Sequence, residues 1–216
     1  MKLFSKKPLV LFLTLTFLAH AAWSHPVTYK NNLSLVSYNN PRMNNILLTY
    51  SVSSRWALAG NYFRDMDSEF YIPRVNFLLK RWNNEDSQGN LYLSGGSGFE
   101  KFQNKNYATQ LAEFGADWES RKYYVNFSHL YLLRSNDQNV SIPNRNYNYS
   151  MLRLGTAPFL ADYSDLNIWF ILQGEKYANQ SNIEMTQFLR FYIKNALWEV
   201  GGRFDGGWAF NYMIHF

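Results

Sequence analysis

The chain carries few groups that could do chemistry. It has four histidines and no cysteine, so thiolate nucleophiles, disulfides and thiolate metal sites are excluded. His20 falls in an apolar leader, which leaves His25, His129 and His215. A nucleophile and base on one strand need a spacing of two, because alternate side chains share a face. The three histidines are followed by Pro26-Val27, Leu130-Tyr131 and Phe216, so none has a serine two places on. Ser128 precedes His129, but on a strand it would point to the opposite face. Asp65-Met66-Asp67-Ser68-Glu69 sets carboxylates at alternate positions, hard oxygen ligands of the kind Ca²⁺ takes. That stretch lacks the glycine and the ligand count of a helix-flanked calcium loop and reads first as a solvated charge cluster. Asn83-Asn84-Glu85-Asp86 reads as a polar turn. Cleavage of the chain after Ser24 would leave an α-amine and an imidazole on His25, a bidentate nitrogen site for Cu²⁺ or Zn²⁺. No catalytic constellation emerges, and no cofactor is implied.

The elements that would position these groups are strands. From residue 33 onward, short alternating segments are broken by Asn, Asp, Ser, Gly and Pro clusters, the pattern of an all-β chain. Alternation is clear in Ile46, Leu48, Tyr50 and Val52, and again in Tyr123, Val125 and Phe127. No segment sustains a helical stripe. The periodicity predicts strands over about 33–38, 45–52, 56–64, 70–82, 90–101, 107–118, 123–134, 147–156, 167–176, 185–194, 197–204 and 208–216. Short connections (53–55, 119–122, 195–196) alternate with longer ones (39–44, 64–69, 102–106, 135–146, 177–184). Connections 83–89 and 157–166 are long, and 205–207 short, against that rhythm, which leaves ten strands open beside twelve.

At the amino end, Lys2, Lys6 and Lys7 precede an apolar run, Pro8 to Leu18, and then the small-residue site Ala19-His20-Ala21-Ala22. This is the anatomy of a secretory signal peptide over 1–24, cleaved after Ala21, Ala22 or Ser24. The run falls short of the roughly 20 residues that a spanning helix needs. The leader holds three of the 21 basic residues and none of the 16 acidic ones. Near-neutral charge in the remaining single domain, 25–216, removes the case for nucleic-acid binding. Aromatic residues make up 19% of the chain, although its mean hydropathy is only −0.35. That combination suits a membrane barrel, half of whose wall faces a polar lumen.

The last nine residues carry the strongest signal. Trp208, Phe210, Tyr212, Ile214 and Phe216 share one parity, with Ala209, Asn211, Met213 and His215 between them. This ending resembles the C-terminal strand of bacterial (Gram-negative) outer-membrane β-barrel proteins, which closes on an aromatic residue after alternating hydrophobics. The resemblance implies a single antiparallel up-and-down transmembrane barrel of about 12 strands in the outer membrane. It also implies two partners, membrane lipid and the barrel-assembly machinery that reads this ending. A soluble β-sandwich or lipocalin-like barrel is the alternative fold. The outer-membrane phospholipase and lipid A deacylase families call for a His-x-Ser pair, which is absent. An omptin-like protease needs Asp-Asp and Asp-His pairs at the outer rim, and no histidine accompanies Asp65, Asp67 and Glu69.

Function would then sit in the lumen. If Val75, Phe77 and Leu79 face lipid, parity turns Asn76 and Lys80 inward. The same logic places Glu113, Asp117, Asn126, Arg153, Arg190, Lys194, Glu199, Arg203 and Asn211 on the inner wall. Such a wall, mixed and mildly positive, fits a narrow channel or uptake protein for small polar or anionic solutes. Small twelve-stranded acidic-sugar channels of Gram-negative bacteria are similar in size, but no residue motif carries that family over. The alternative is a closed structural barrel, its inner charges paired across the lumen and its Asn- and Tyr-rich loops available for surface interactions. The solute and the oligomeric state are not legible.

Overall fold

The computed structural model describes residues 25–135, 146–162, 164–177 and 180–216. The expected leader lies outside the described residues, as does most of the connection between Ser135 and Asn146. Twelve strands are present among the described residues. They are β1 (Leu33–Asn39), β2 (Met43–Ser51), β3 (Trp56–Asp65), β4 (Ser68–Asn83), β5 (Ser87–Phe102) and β6 (Lys105–Ser120). The second half comprises β7 (Tyr123–Arg134), β8 (Tyr147–Thr156), β9 (Asn167–Tyr177), β10 (Glu184–Ile193), β11 (Ala196–Arg203) and β12 (Trp208–His215). Each pairs antiparallel with its sequence neighbours, and β1 pairs with β12 (Ser34 opposite His215, Tyr38 opposite Asn211), closing an up-and-down barrel. Ten strands are excluded.

The alternation seen in the sequence becomes two walls. Outward positions carry exposed Leu48, Leu58, Phe77, Val125, Leu172 and Trp198. Their inward neighbours are polar or are buried against the opposite wall. A closed barrel with an apolar exterior leaves no unpaired sheet edge, which is what a hydrocarbon environment demands. The fold is a closed twelve-stranded antiparallel β-barrel with an apolar outer wall. On the terminal strand, Trp208, Phe210, Tyr212, Ile214 and Phe216 all lie on the outer wall, and Phe216 N–H donates to Leu33 O at 2.8 Å.

Two expectations about connections are corrected. The stretches 64–69 and 102–106, read as longer loops, are two-residue turns, Met66-Asp67 and Gln103-Asn104. Gln103 and Asn104 both have positive φ (48° and 61°), the conformation of a tight hairpin whose twist matches its strands. Connection 83–89 shrinks to Asn84–Asp86, because β4 and β5 run on into it. The start of β1 and the finish of β12 lie together at one end of the barrel (the terminus end); the opposite end is the loop end.

β4, β5 and β6 have 16 residues each, more than a bilayer crossing requires. The excess rises at the terminus end, where residues 78–83 of β4 run past the beginning of β3. Next to Pro73, which has no N–H to donate, β5 runs Gly95-Gly96-Ser97-Gly98. A Cβ on Gly96 would stand 2.6 Å from Pro73 O, and one on Gly98 would collide with Tyr71 O. Only glycine admits that approach of two backbones.

Candidate functional site

The interior is organised in three levels. At the loop end, Met43, Phe63, Phe70, Ile72, Leu132 and Tyr147 belong to a buried cluster drawn from strands on several sides of the barrel. Polar groups interleave with it. Ser68 Oγ donates to Glu100 Oε1 at 2.7 Å, and Tyr149 donates to Glu175. Above the cluster, Arg42 lies over the Tyr177 ring, bonds Asp65 Oδ1 at 2.9 Å and reaches Glu184 at 3.8 Å. Arg203 joins the same rim through Glu184 (2.6 Å) and Asp205 (2.8 Å). Its hydrogen bond holds the Asp205 carboxyl below the usual carboxylate range.

The middle level is a cavity of about 130 Å³, room for several waters. Its polar lining includes Asn45, Asn61, Arg74, Glu113, Asn126 and Asn211. Arg74 donates to Asn76 Oδ1 (2.7 Å) and Ser94 Oγ (3.1 Å) and pairs with Glu113 at 2.6 Å. On the opposite side Glu199, 0% exposed, receives Arg153 Nη2 (2.6 Å), Arg190 Nε (2.7 Å) and Asn211 Nδ2 (2.7 Å). The Arg190 guanidinium covers the Tyr124 ring and that of Arg153 faces Phe188. One carboxylate thus serves two cations in a site without water contact, where an unmatched charge would be costly.

At the terminus end a segment outside the β-ladder enters the mouth. Val27 is 0% exposed, packed with Ala57 and Tyr92. Pro26 O accepts from Asn76 Nδ2 at 3.2 Å, and Thr28 N–H donates to Ser51 Oγ at 3.0 Å. The buried His25 ring stands between two carboxylates, with Nδ1 3.2 Å from Asp117 and Nε2 3.7 Å from Glu119. Asn90 lies beside them, donating to Asp117 Oδ1 at 2.7 Å.

Of the residues singled out from the sequence, Asn76, Glu113, Asp117, Asn126, Arg153, Arg190, Glu199, Arg203 and Asn211 have their side chains on the inner face. Two do not. Lys80 is exposed on the outer wall, because Leu78 pairs with Tyr92 and Lys80 with Leu91. The extra residue, Leu79, is a bulge that reverses the alternation. Arg81 turns inward in its place and donates to Asn90 Oδ1 at 2.7 Å. Lys194, with φ 52°, occupies the exposed turn between β10 and β11. Asp65, Asp67 and Glu69 do not converge. Asp65 faces inward to Arg42, Asp67 sits in the turn, and Glu69 accepts from Tyr71 OH outside. Among the described residues no group of His, Asp and Glu has metal-holding geometry, and the two His25 nitrogens face different carboxylates.

Arg74, Glu100 and Glu175 were missed, although Arg74 shares the parity of Asn76 and Glu175 that of Gln173. Extending each strand's alternation to its end would have found them. His129 has a hydroxyl partner that no local reading offers. Nδ1 lies 2.8 Å from Ser150 Oγ, directly across the β7–β8 ladder on the outer wall.

A search with the sequence finds no matching protein-family model and no matching curated protein. Among solved structures the chain is similar in fold to the KdgM porin, at 11% identity and TM-score 0.47, over 86% of this chain and 98% of that one. It is similar to the NanC porin at 10% identity and TM-score 0.41, over 85% and 97%. The CymD monoaromatic hydrocarbon channel follows at 8% identity and TM-score 0.36, over 91% and 94%.

Proposed function

We propose that the protein is a narrow outer-membrane passage for small polar or anionic solutes, held closed in this conformation. The observation that supports this reading is the middle cavity. A barrel that only needed to be rigid could fill its interior throughout, as this one does at the loop end. Here a space of about 130 Å³ is kept open instead, with amides, Arg74 and Glu113 set among apolar side chains such as Leu47, Phe188 and Met213. The polar groups can take over the hydration of a polar solute. The terminus end of the barrel would face the periplasm. Barrel-assembly machinery that recognises the Trp208–Phe216 strand would place it there.

A second reading has its own support. Arg153 and Arg190 share the buried Glu199 carboxylate, the inward pairing of a closed structural barrel. Planar-bilayer recording of the purified, folded protein separates the two. A passage gives stepwise currents, brief if closure is the resting state. Silence at all voltages, from wild type and from variants with either end of the interior loosened, would leave the structural barrel.

A further inference from the structure

The geometry points to residues 25–28 as an autoinhibitory strap, a plug at the terminus end that seals the middle cavity and can leave without disturbing the barrel. This inference rests on the passage reading for its physiological meaning, though not for its geometry. The cavity is lined by His25 and Pro26 on one side and by Met43, Phe63 and Tyr149 on the other, so the strap forms part of its boundary. All its neighbours are wall residues, yet none of its own residues belongs to a strand. Detaching it therefore breaks no ladder.

Its attachments are of a kind that competes readily with water. Among the described residues they include one hydrogen bond from Asn76, a pair of contacts between Thr28 and Ser51, and the His25 imidazole between Asp117 and Glu119 with Asn90 Nδ2 3.4 Å from its Nε2. A single apolar anchor, Val27, sits in a pocket of Ala57, Tyr92 and Leu78. The receiving surface is specific. β4–β6 extend above the rest of the barrel here, and the bulge at Leu79 brings Arg81 to the inner face, where it orients Asn90 beside the two carboxylates. With the strap withdrawn, Asp117, Glu119 and Asn90 would form an acidic rim leading to the cavity.

The chain contains no cysteine, which permits a direct test in the folded protein. Ser128→Cys places one thiol on the cavity wall, and its labelling by a membrane-impermeant maleimide reports access. Adding Val27→Asp puts an unpaired carboxylate into the apolar pocket of Ala57, Tyr92 and Leu78 and expels the strap. Labelling should then accelerate about tenfold or more, in proportion to the open population. A second protein, Ser128→Cys with Thr28 and Ser51 covalently tethered through a linker that spares the reporter thiol, should label as slowly as the parent. Circular dichroism and heat-modifiability check that each variant is folded. Unchanged labelling in folded Val27→Asp protein overturns the strap, as would fast labelling of the tethered one. Conductance is recorded on the same samples. Faster labelling with no current sustains the strap and leaves the loop-end cluster as the remaining barrier, whereas current with unchanged labelling rejects the strap and sustains the passage.

Discussion

At the loop end the interior is closed by side chains that belong to the wall itself. Phe63, Phe70, Ile72, Leu132, Tyr147 and Tyr177 come from β3, β4, β7, β8 and β9. All six lie within strands, and Phe63, Phe70 and Leu132 are paired to a neighbouring strand on both flanks. At the terminus end closure depends on four residues outside the ladder, with one buried valine and a few polar contacts. The first seal is worth a core and opens only if the sheet deforms. The second is a guest in a finished barrel. Between them lies a polar level in which Glu199 holds two arginines in place. The contrast shows that burial alone does not tell a structural element from a removable one. What distinguishes them is whether the buried residue also holds the backbone ladder together.

Three substitutions probe that contrast by urea unfolding in detergent micelles, followed by the fluorescence of the seven tryptophans. The largest effect is expected for Glu199→Gln. It strands two buried guanidinium groups and should cost about 3–5 kcal/mol, the range for breaking a buried ion pair from one side. A loss below about 1 kcal/mol would mean that water reaches Arg153 and Arg190 and that the middle level is an open lumen. Leu132→Ala removes a side chain with 0% exposure from the loop-end cluster and should cost about 2–5 kcal/mol, by lost transfer energy plus a cavity. The smallest change is expected for Val27→Ala. Its side chain is equally buried, yet global unfolding should move by less than about 1 kcal/mol, because the strap can detach in a local opening before the barrel unfolds. A loss as large as that for Leu132→Ala would make the strap part of the cooperative core and erase the distinction between the two ends.

The sequence alone determined the barrel. Period-two alternation marked all twelve strands within a few residues of their ends, because the two faces of each strand meet different solvents and the residue types record it. The aromatic parity of Trp208 to Phe216 showed which face is outermost. Inward placement of Asn76, Glu113, Arg153, Glu199 and Asn211 followed from the same rule. Tertiary structure decided whatever depended on pairing with a distant strand. The bulge at Leu79 exists only in the register of β4 against β5, so no local pattern could turn Lys80 outward and Arg81 inward. Lys194 lost its place on the wall to a turn whose position is set by where β10 and β11 cease to pair. Which cation meets which carboxylate depends on barrel closure, since Arg153 on β8 and Glu199 on β11 are 46 residues apart and not on adjacent strands. His25 stood in the sequence as a residue beside a possible cleavage site. Only folding brought it between Asp117 and Glu119, because those carboxylates project from the tall β4–β6 wall into the mouth of the barrel.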